Sequence, residues 1–150
     1  MANELTFSTV CALPPGEAAL ARQTRWESIA YTLSHVLVVD DIFKHHLKGA
    51  RHSYRYRNMD ARLEVGELWE RQRTMDQWYS DFAAHVRPDA LNEAVSFEFV
   101  GGGNGKMTRA EILLHIANHG TYHRGLISDM LCQVPADMPA NDFPVFLRDG

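Results

Sequence analysis

Three histidines recur at four-residue spacing in the segment LLHIANHGTYHRGLI: His115, His119 and His123. On an α-helix, residues four apart lie on the same side, one turn above another. Neutral imidazole is a common ligand for zinc and related divalent metals, so two adjacent histidines could hold one ion. Each step rises about 6 Å and rotates the side chain by about 40°, which leaves His115 and His123 poorly placed to share it. The spacing therefore predicts that either 115/119 or 119/123 is the binding pair.

A metal site also needs at least one ligand from another helix, and His35 in TLSHVLVVDDIF is the leading candidate. Three neutral histidines leave a coordination position for water or substrate, which is typical of catalytic zinc and not of structural zinc. The remaining histidines have polar neighbours and no informative spacing, so we assign them no metal role: His45, His46, His52 and His85.

Several other kinds of active site are excluded because the sequence lacks their motifs. No Glu follows His119, so the helix is not a His-Glu-x-x-His zinc-protease helix. Glu111 stands four residues before His115, whereas the di-iron carboxylate bundles use a three-residue spacing. The GGGNG sequence lacks the Lys-Ser/Thr pair of a phosphate-binding loop, and no Gly-x-Ser-x-Gly nucleophile elbow is present.

Length and composition indicate a single globular domain. The chain has 150 residues, 45% of them hydrophobic, and a formal charge of −4 that makes nucleic acid an unlikely partner. Cys11 and Cys132 are too far apart in sequence to form a Cys-x-x-Cys metal site. No apolar run approaches the ~20 residues needed to cross a bilayer, so no membrane association is predicted. The amino terminus lacks the basic region of a secretion signal, and we expect a cytoplasmic protein.

Apolar periodicity predicts four helices that would position these histidines. The first covers residues 3–13 and ends at a Pro-Pro pair, and the second covers residues 26–47 and ends before a glycine. The third covers residues 63–86, after a polar and aromatic loop at residues 51–60, and ends before a proline. The histidine helix should extend to about residue 131.

A short β-hairpin is predicted directly before the histidine helix. Residues 95–100 alternate in polarity, GGGNG forms the turn, and Lys106-Met107 would pair back. Thr108 and Glu111 then have the spacing of a capping box. The Pro-rich tail at residues 134–150 is expected to wrap the bundle without forming a long element. The predicted fold class is all-α, a four-helix bundle with a hairpin insert before the last helix.

Two segments, WESIAYTLSHVLVVDDIFKHHLKG and LLHIANHGTYHRGLISDML, resemble the DinB family of metal-dependent enzymes, within the wider DinB/YfiT-like superfamily. The similarity extends over nearly the whole chain, and HIANHGTYHRG is its most specific part. It implies a four-helix bundle in which the metal is held by His35, His119 and His123, with His115 as a neighbour. Members of the family usually have a longer first helix, so we expect a truncated first helix here.

The resemblance also implies a function. A zinc or nickel ion would activate a thiol or water for transfer to, or hydrolysis of, a small electrophilic substrate, and a low-molecular-weight thiol could be the co-substrate. The family habit indicates a homodimer. The alternative is a non-catalytic, stress-linked metal-binding protein or a dimeric interaction module. A fourth protein ligand would distinguish that structural role from an open catalytic site.

No residue is assigned as a general base from the sequence. Asp40 and Asp41 follow His35 by about one turn, and we expect them to be solvated or cap-like carboxylates. Tyr122 and Arg124 project about 100° to either side of His123, which favours packing or dimer contacts. The three tryptophans are predicted to be core or interface residues: Trp26, Trp69 and Trp78.

Overall fold

A computed structural model describes residues 1–59, 63–134 and 136–149 of the chain. Asp60 of the predicted loop, and Pro135 and Gly150 of the predicted tail, lie outside the described residues. The expected helical bundle with a β-hairpin is confirmed. Its elements are α1 Ala2–Cys11, α2 Ile29–Leu47, α3 Val65–His85, β1 Ala94–Glu98, β2 Asn104–Thr108, α4 Arg109–Leu131 and α5 Phe143–Asp149.

Helix α2 is the central element of the bundle. It packs against α3 and α4 and touches the hairpin, while α1 packs against α3. Buried side chains occur all round α2, which is typical of a core helix and not of a surface helix. Fully burying one Leu or Ile side chain contributes about 1.5–3 kcal/mol, so this helix supplies much of the core. Its largest fully buried residue is Ile29.

Side-chain caps set the starts of α2 and α4. The Ser28 hydroxyl accepts a hydrogen bond from the Tyr31 backbone N–H at 3.2 Å, so α2 begins at Ile29 and the predicted start was three residues early. The preceding Glu27 has a φ of 49°, in the left-handed region. The predicted capping box of Thr108 and Glu111 is present at the start of α4. The predicted bounds of α1 and α3 agree with the structure to within two residues.

The hairpin packs one aromatic ring against α2. Its antiparallel register pairs Ser96 with Lys106 and Phe97 with Gly105. A Cβ at Gly105 would lie 2.3 Å from the Phe97 ring, so only glycine leaves room for the ring there. The Phe97 ring then contacts Phe43 of α2 at a centroid distance of 5.5 Å. The first strand ends two residues before the predicted position because Phe99 bonds to Gly103 across the turn.

Among the described residues of the tail, the one regular element is the seven-residue helix α5, so the prediction of a tail without a long element is confirmed for that part of the chain. Among the described residues, no helix is both long enough and apolar enough to span a membrane.

Candidate metal centre

The packing of α2 against α4 brings three histidines together. His35 lies in the second turn of α2, and His119 and His123 lie on consecutive turns of α4. The Nε2 atom of His119 is 3.2 Å from Nε2 of His35 and 3.1 Å from Nε2 of His123. One ligand atom from each residue lies within 4.8 Å of the others. The three imidazoles therefore point at one common position, and we call this group the histidine cluster.

A main-chain carbonyl fixes the orientation of His35. Its Nδ1 lies 2.8 Å from the backbone oxygen of Arg57. A carbonyl oxygen can only accept a hydrogen bond, so Nδ1 carries the proton and Nε2 keeps a free lone pair. Metal-binding histidines are commonly oriented in this way.

Burial keeps all three rings neutral near pH 7. The pKa of His119 is lowered to about 3, mainly by burial and to a smaller extent by the neighbouring His123 and His35. The pKa of His123 is lowered to about 4, mainly by burial and to a smaller extent by the neighbouring His35. The pKa of His35 is also lowered, mainly by burial. Neutral imidazoles are the form that binds metal.

The geometry of the cluster fits a metal ion. Ligation at about 2.0–2.1 Å with tetrahedral angles places ligand nitrogens about 3.3 Å apart, close to the separations found here. The Nδ1 atoms of His119 and His123 are buried and have no hydrogen-bond partner, unlike Nδ1 of His35. Among the described residues, no fourth His, Cys, Asp or Glu belongs to the cluster. The three histidines could hold a metal ion and leave coordination positions open.

Comparison with known proteins places the chain in a family. The sequence profile of the DinB family matches residues 1–149. The chain belongs to the DinB family. It is also 27% identical over 152 aligned residues to Protein DinB of Bacillus subtilis (strain 168), covering 97% of this chain and 87% of that protein. The resemblance inferred from the two histidine segments is confirmed.

His115 stands beside the cluster in this DinB-family chain without joining it. Its ring centroid lies 5.5 Å from that of His119 and 4.6 Å from that of Phe43. The ring is half-buried, and desolvation lowers its pKa. The spacing alone left the 115/119 and 119/123 pairs open, and the structure brings the second pair together with His35.

Sequence reasoning missed the side chain that covers the cluster. Trp26 packs, partly buried, against the core as predicted, and its ring also lies 4.5 Å from His123 and 4.8 Å from His35, centroid to centroid. The Tyr122 ring, which is mostly exposed, stands nearly perpendicular to the His123 ring, with the two ring centroids 5.0 Å apart. No spacing pattern identifies Trp26, because it precedes α2 and folds back over the histidines.

The expectation of a solvated Asp40 was wrong. Asp40 is 3% exposed and accepts a hydrogen bond from Gln72 Nε2 at 2.8 Å. The same nitrogen donates to Asp76, which also accepts from Asn3, and Asn3 accepts from Arg124. These five residues join α1, α2, α3 and α4, and we call them the carboxylate network. Desolvation raises the pKa of Asp40 to about 7.

Asp41 differs from its neighbour because it is partly exposed. Its carboxylate accepts a hydrogen bond from the Tyr54 hydroxyl at 2.9 Å and lies 3.6 Å from Nδ1 of His45. Neither aspartate belongs to the metal-ligand group. The side chain of Arg124 extends away from His123, where it donates to Asn3 and Thr121.

Proposed function

We propose that this DinB-family protein is a divalent-metal-dependent enzyme in which His35, His119 and His123 hold zinc or nickel. The observation that carries the proposal is the convergence of three neutral Nε2 atoms without a fourth protein ligand among the described residues. A closed structural site would include that fourth ligand. The open arrangement therefore favours the catalytic role over the structural alternative.

The reaction class we propose is attack by a thiol or a water molecule on a small electrophilic substrate, giving transfer or hydrolysis. A bound zinc or nickel ion supplies a nucleophile at neutral pH by lowering the pKa of the water or thiol that it binds. The chain itself orients and shields the site. The Arg57 carbonyl holds His35 in the metal-binding tautomer, and the Trp26 ring covers the sides of His35 and His123.

We also propose that the protein is a homodimer. Leu114 and Tyr122 on α4 are 70% and 58% exposed. The exposed residues between them are small or polar and would allow a second helix to approach closely: Ala117, Asn118 and Thr121. Light scattering should give twice the chain mass for the wild type and the mass of a monomer for Leu114→Glu. A monomeric wild type would contradict this proposal.

The first test is metal content measured by mass spectrometry on tag-free protein. We expect about one zinc or nickel ion per chain in the wild type and none in His35→Ala or His119→Ala. His85→Ala is the matched control, because His85 is exposed and bonds only to the Asp81 carbonyl. Wild-type protein that stays empty after zinc or nickel is added would contradict the metal site.

Chelation separates a catalytic site from a structural one. Because the apolar core surrounds α2 independently of the histidines, we expect the chelated protein to stay folded, with its circular dichroism spectrum unchanged at room temperature. Unfolding on chelation would favour the non-catalytic alternative. The metal-loaded protein is then assayed for thiol addition to, and hydrolysis of, small electrophiles, with His119→Ala as the inactive reference.

A further inference from the structure

A groove opens at the carboxyl end of α2, away from the histidine cluster. It has a volume of about 980 Å³ and lies between residues 49–55 and the β-hairpin. Three cationic side chains line it, from Arg51, Arg55 and Lys106. We call it the basic groove. Its volume is in the range of small-molecule sites.

The chain holds the wall of this groove in place through hydrogen bonds to α2. After α2 ends, the segment turns back along the helix, where the Tyr54 hydroxyl bonds to Asp41. Further on, the Arg57 carbonyl accepts from His35, and the Met59 N–H donates to the Ser34 hydroxyl at 3.3 Å. Tyr54 is partly buried, while the neighbouring Arg51 and Arg55 are exposed. The segment is thus held against α2, while the arginine side chains stay exposed to solvent and free to contact a ligand.

The cations of the basic groove lack partners within the described structure. The side chains of Arg51, Arg55 and Lys106 have no hydrogen bond or ion pair with any described residue. Five arginines elsewhere in the described structure are paired with carboxylates: Arg22, Arg71, Arg73, Arg87 and Arg109. Glu98 is the one carboxylate among the described residues that line the groove, so positive charge is in excess there.

Flat rings form the remaining surface of the basic groove. His46 stacks on Phe97 at a centroid distance of 4.6 Å and an angle of 15°. His52 lies 5.4 Å from His46, and Phe99 is 52% exposed at the rim. Cations beside the partly exposed rings of His46, His52 and Phe99 suit a molecule that combines negative charge with an organic or cyclic part.

We propose that the basic groove binds a small polyanion, a molecule bearing phosphate or several carboxylate groups. The anionic groups bind Arg51, Arg55 and Lys106, and the rest of the molecule lies against the aromatic surface. The grouping of three cations around one groove, with Glu98 as the single carboxylate of its described lining, carries this assignment. Binding at this groove does not require a metal in the histidine cluster.

The test is an NMR titration of ¹⁵N-labelled protein at constant ionic strength, with pyrophosphate and citrate as separate probes. Both probes can chelate metals, so the titration is made in wild-type protein and in His119→Ala. We expect saturable shifts at residues 49–55 and 96–106 in both proteins. Tighter binding of pyrophosphate would identify a phosphate ligand, and tighter binding of citrate a carboxylate ligand.

The control is a pair of double variants. Arg51→Ala with Arg55→Ala should weaken binding by about tenfold or more, through loss of two charge-assisted contacts. Arg71→Ala with Arg73→Ala removes the same charge from the exposed surface of α3 and should change the Kd less than about twofold. Absence of saturable shifts with either probe, or equal weakening in the two double variants, would overturn the proposal.

Discussion

The histidine cluster and the carboxylate network satisfy buried polar groups in different ways. His35 and Asp40 are five residues apart on α2, which places them about 140° apart around the helix, and His123 and Arg124 are neighbours on α4. In the network, amide and guanidinium donors bond to carboxylate and amide oxygens. In the cluster, three nitrogens face one another without a protein donor that could serve them all.

The structural polar cluster and the candidate ligand site differ in which atoms face each other: donors meet oxygen acceptors in the network, whereas imidazole nitrogens meet one another in the histidine cluster. In the network, hydrogen bonds from Asn3, Gln72 and Arg124 join side chains on four helices, although Asp40 Oδ1, Gln72 Oε1 and Arg124 Nε are buried without a partner. The histidine cluster presents several lone pairs to one point, an arrangement that is stabilised by a cation. Burial alone does not make this distinction, because His123 and Asp40 are 2% and 3% exposed.

The two clusters also respond to pH in opposite senses. Histidines with a lowered pKa lose stability as the pH falls below about 6.5, because the unfolded chain then binds more protons. Asp40 has a raised pKa, so its contribution is present at low pH and is lost as the pH rises through about 7.

Breaking the network should destabilise the fold. Gln72→Leu removes the donor to Asp40 and one donor to Asp76, leaving buried oxygens unsatisfied. We expect the free energy of unfolding to fall by about 3 kcal/mol, measured by urea denaturation. Gln77→Leu is the control, because Gln77 bonds to Asp81 on the exposed side of the same helix, and it should change stability by less than about 0.5 kcal/mol. Equal effects in the two variants would contradict a structural role for the network.

The proton on Asp40 can be tested separately. In Asp40→Asn the amide replaces a protonated carboxyl and can donate to the unpartnered Gln72 Oε1. The free energy of unfolding of the wild type should fall as the pH rises, because Asp40 must lose its proton, whereas the variant has no such group. The difference in free energy of unfolding, variant minus wild type, should therefore increase by about 2.5 kcal/mol between pH 5 and pH 8. Denaturation is measured in chelator, so that metal binding does not contribute. Parallel stability profiles for the two proteins would refute the prediction.

Removing the Trp26 ring, which covers the histidine cluster, should lower the affinity of the protein for metal. Trp26→Ala removes the ring that packs against His35 and His123. We expect the Kd for zinc to rise by about tenfold, or about 1.4 kcal/mol, in a chelator competition assay. Trp78→Ala is the matched control, because Trp78 stacks on Phe82 and contacts Lys44. An unchanged Kd in Trp26→Ala would show that the ring does not support the site.

Local sequence signals predicted the elements well where the signal and the structure involve the same few residues. Thr108 and Glu111 form a capping box within one turn, and the alternation around Phe97 produces a hairpin. The start of α2 was less predictable, because Ser28 caps the helix although the apolar Trp26 precedes it. Asp40 could not be placed from the sequence, since its burial depends on Gln72, which is 32 residues away.

The sequence by itself determined that His119 and His123 share one side of a helix, because helical rise and rotation depend only on spacing. Together with the family resemblance, it also singled out His35 as a partner. Only the tertiary structure decided that the Nε2 atom of His35 faces the Nε2 atoms of this pair. That orientation depends on the packing of α2 on α4 and on the hydrogen bond from His35 Nδ1 to the Arg57 carbonyl. The cover by Trp26 and the burial of Asp40 were decided in the same way. Contacts between distant segments depend on how whole helix faces pack, and residue spacing along one segment does not contain that information.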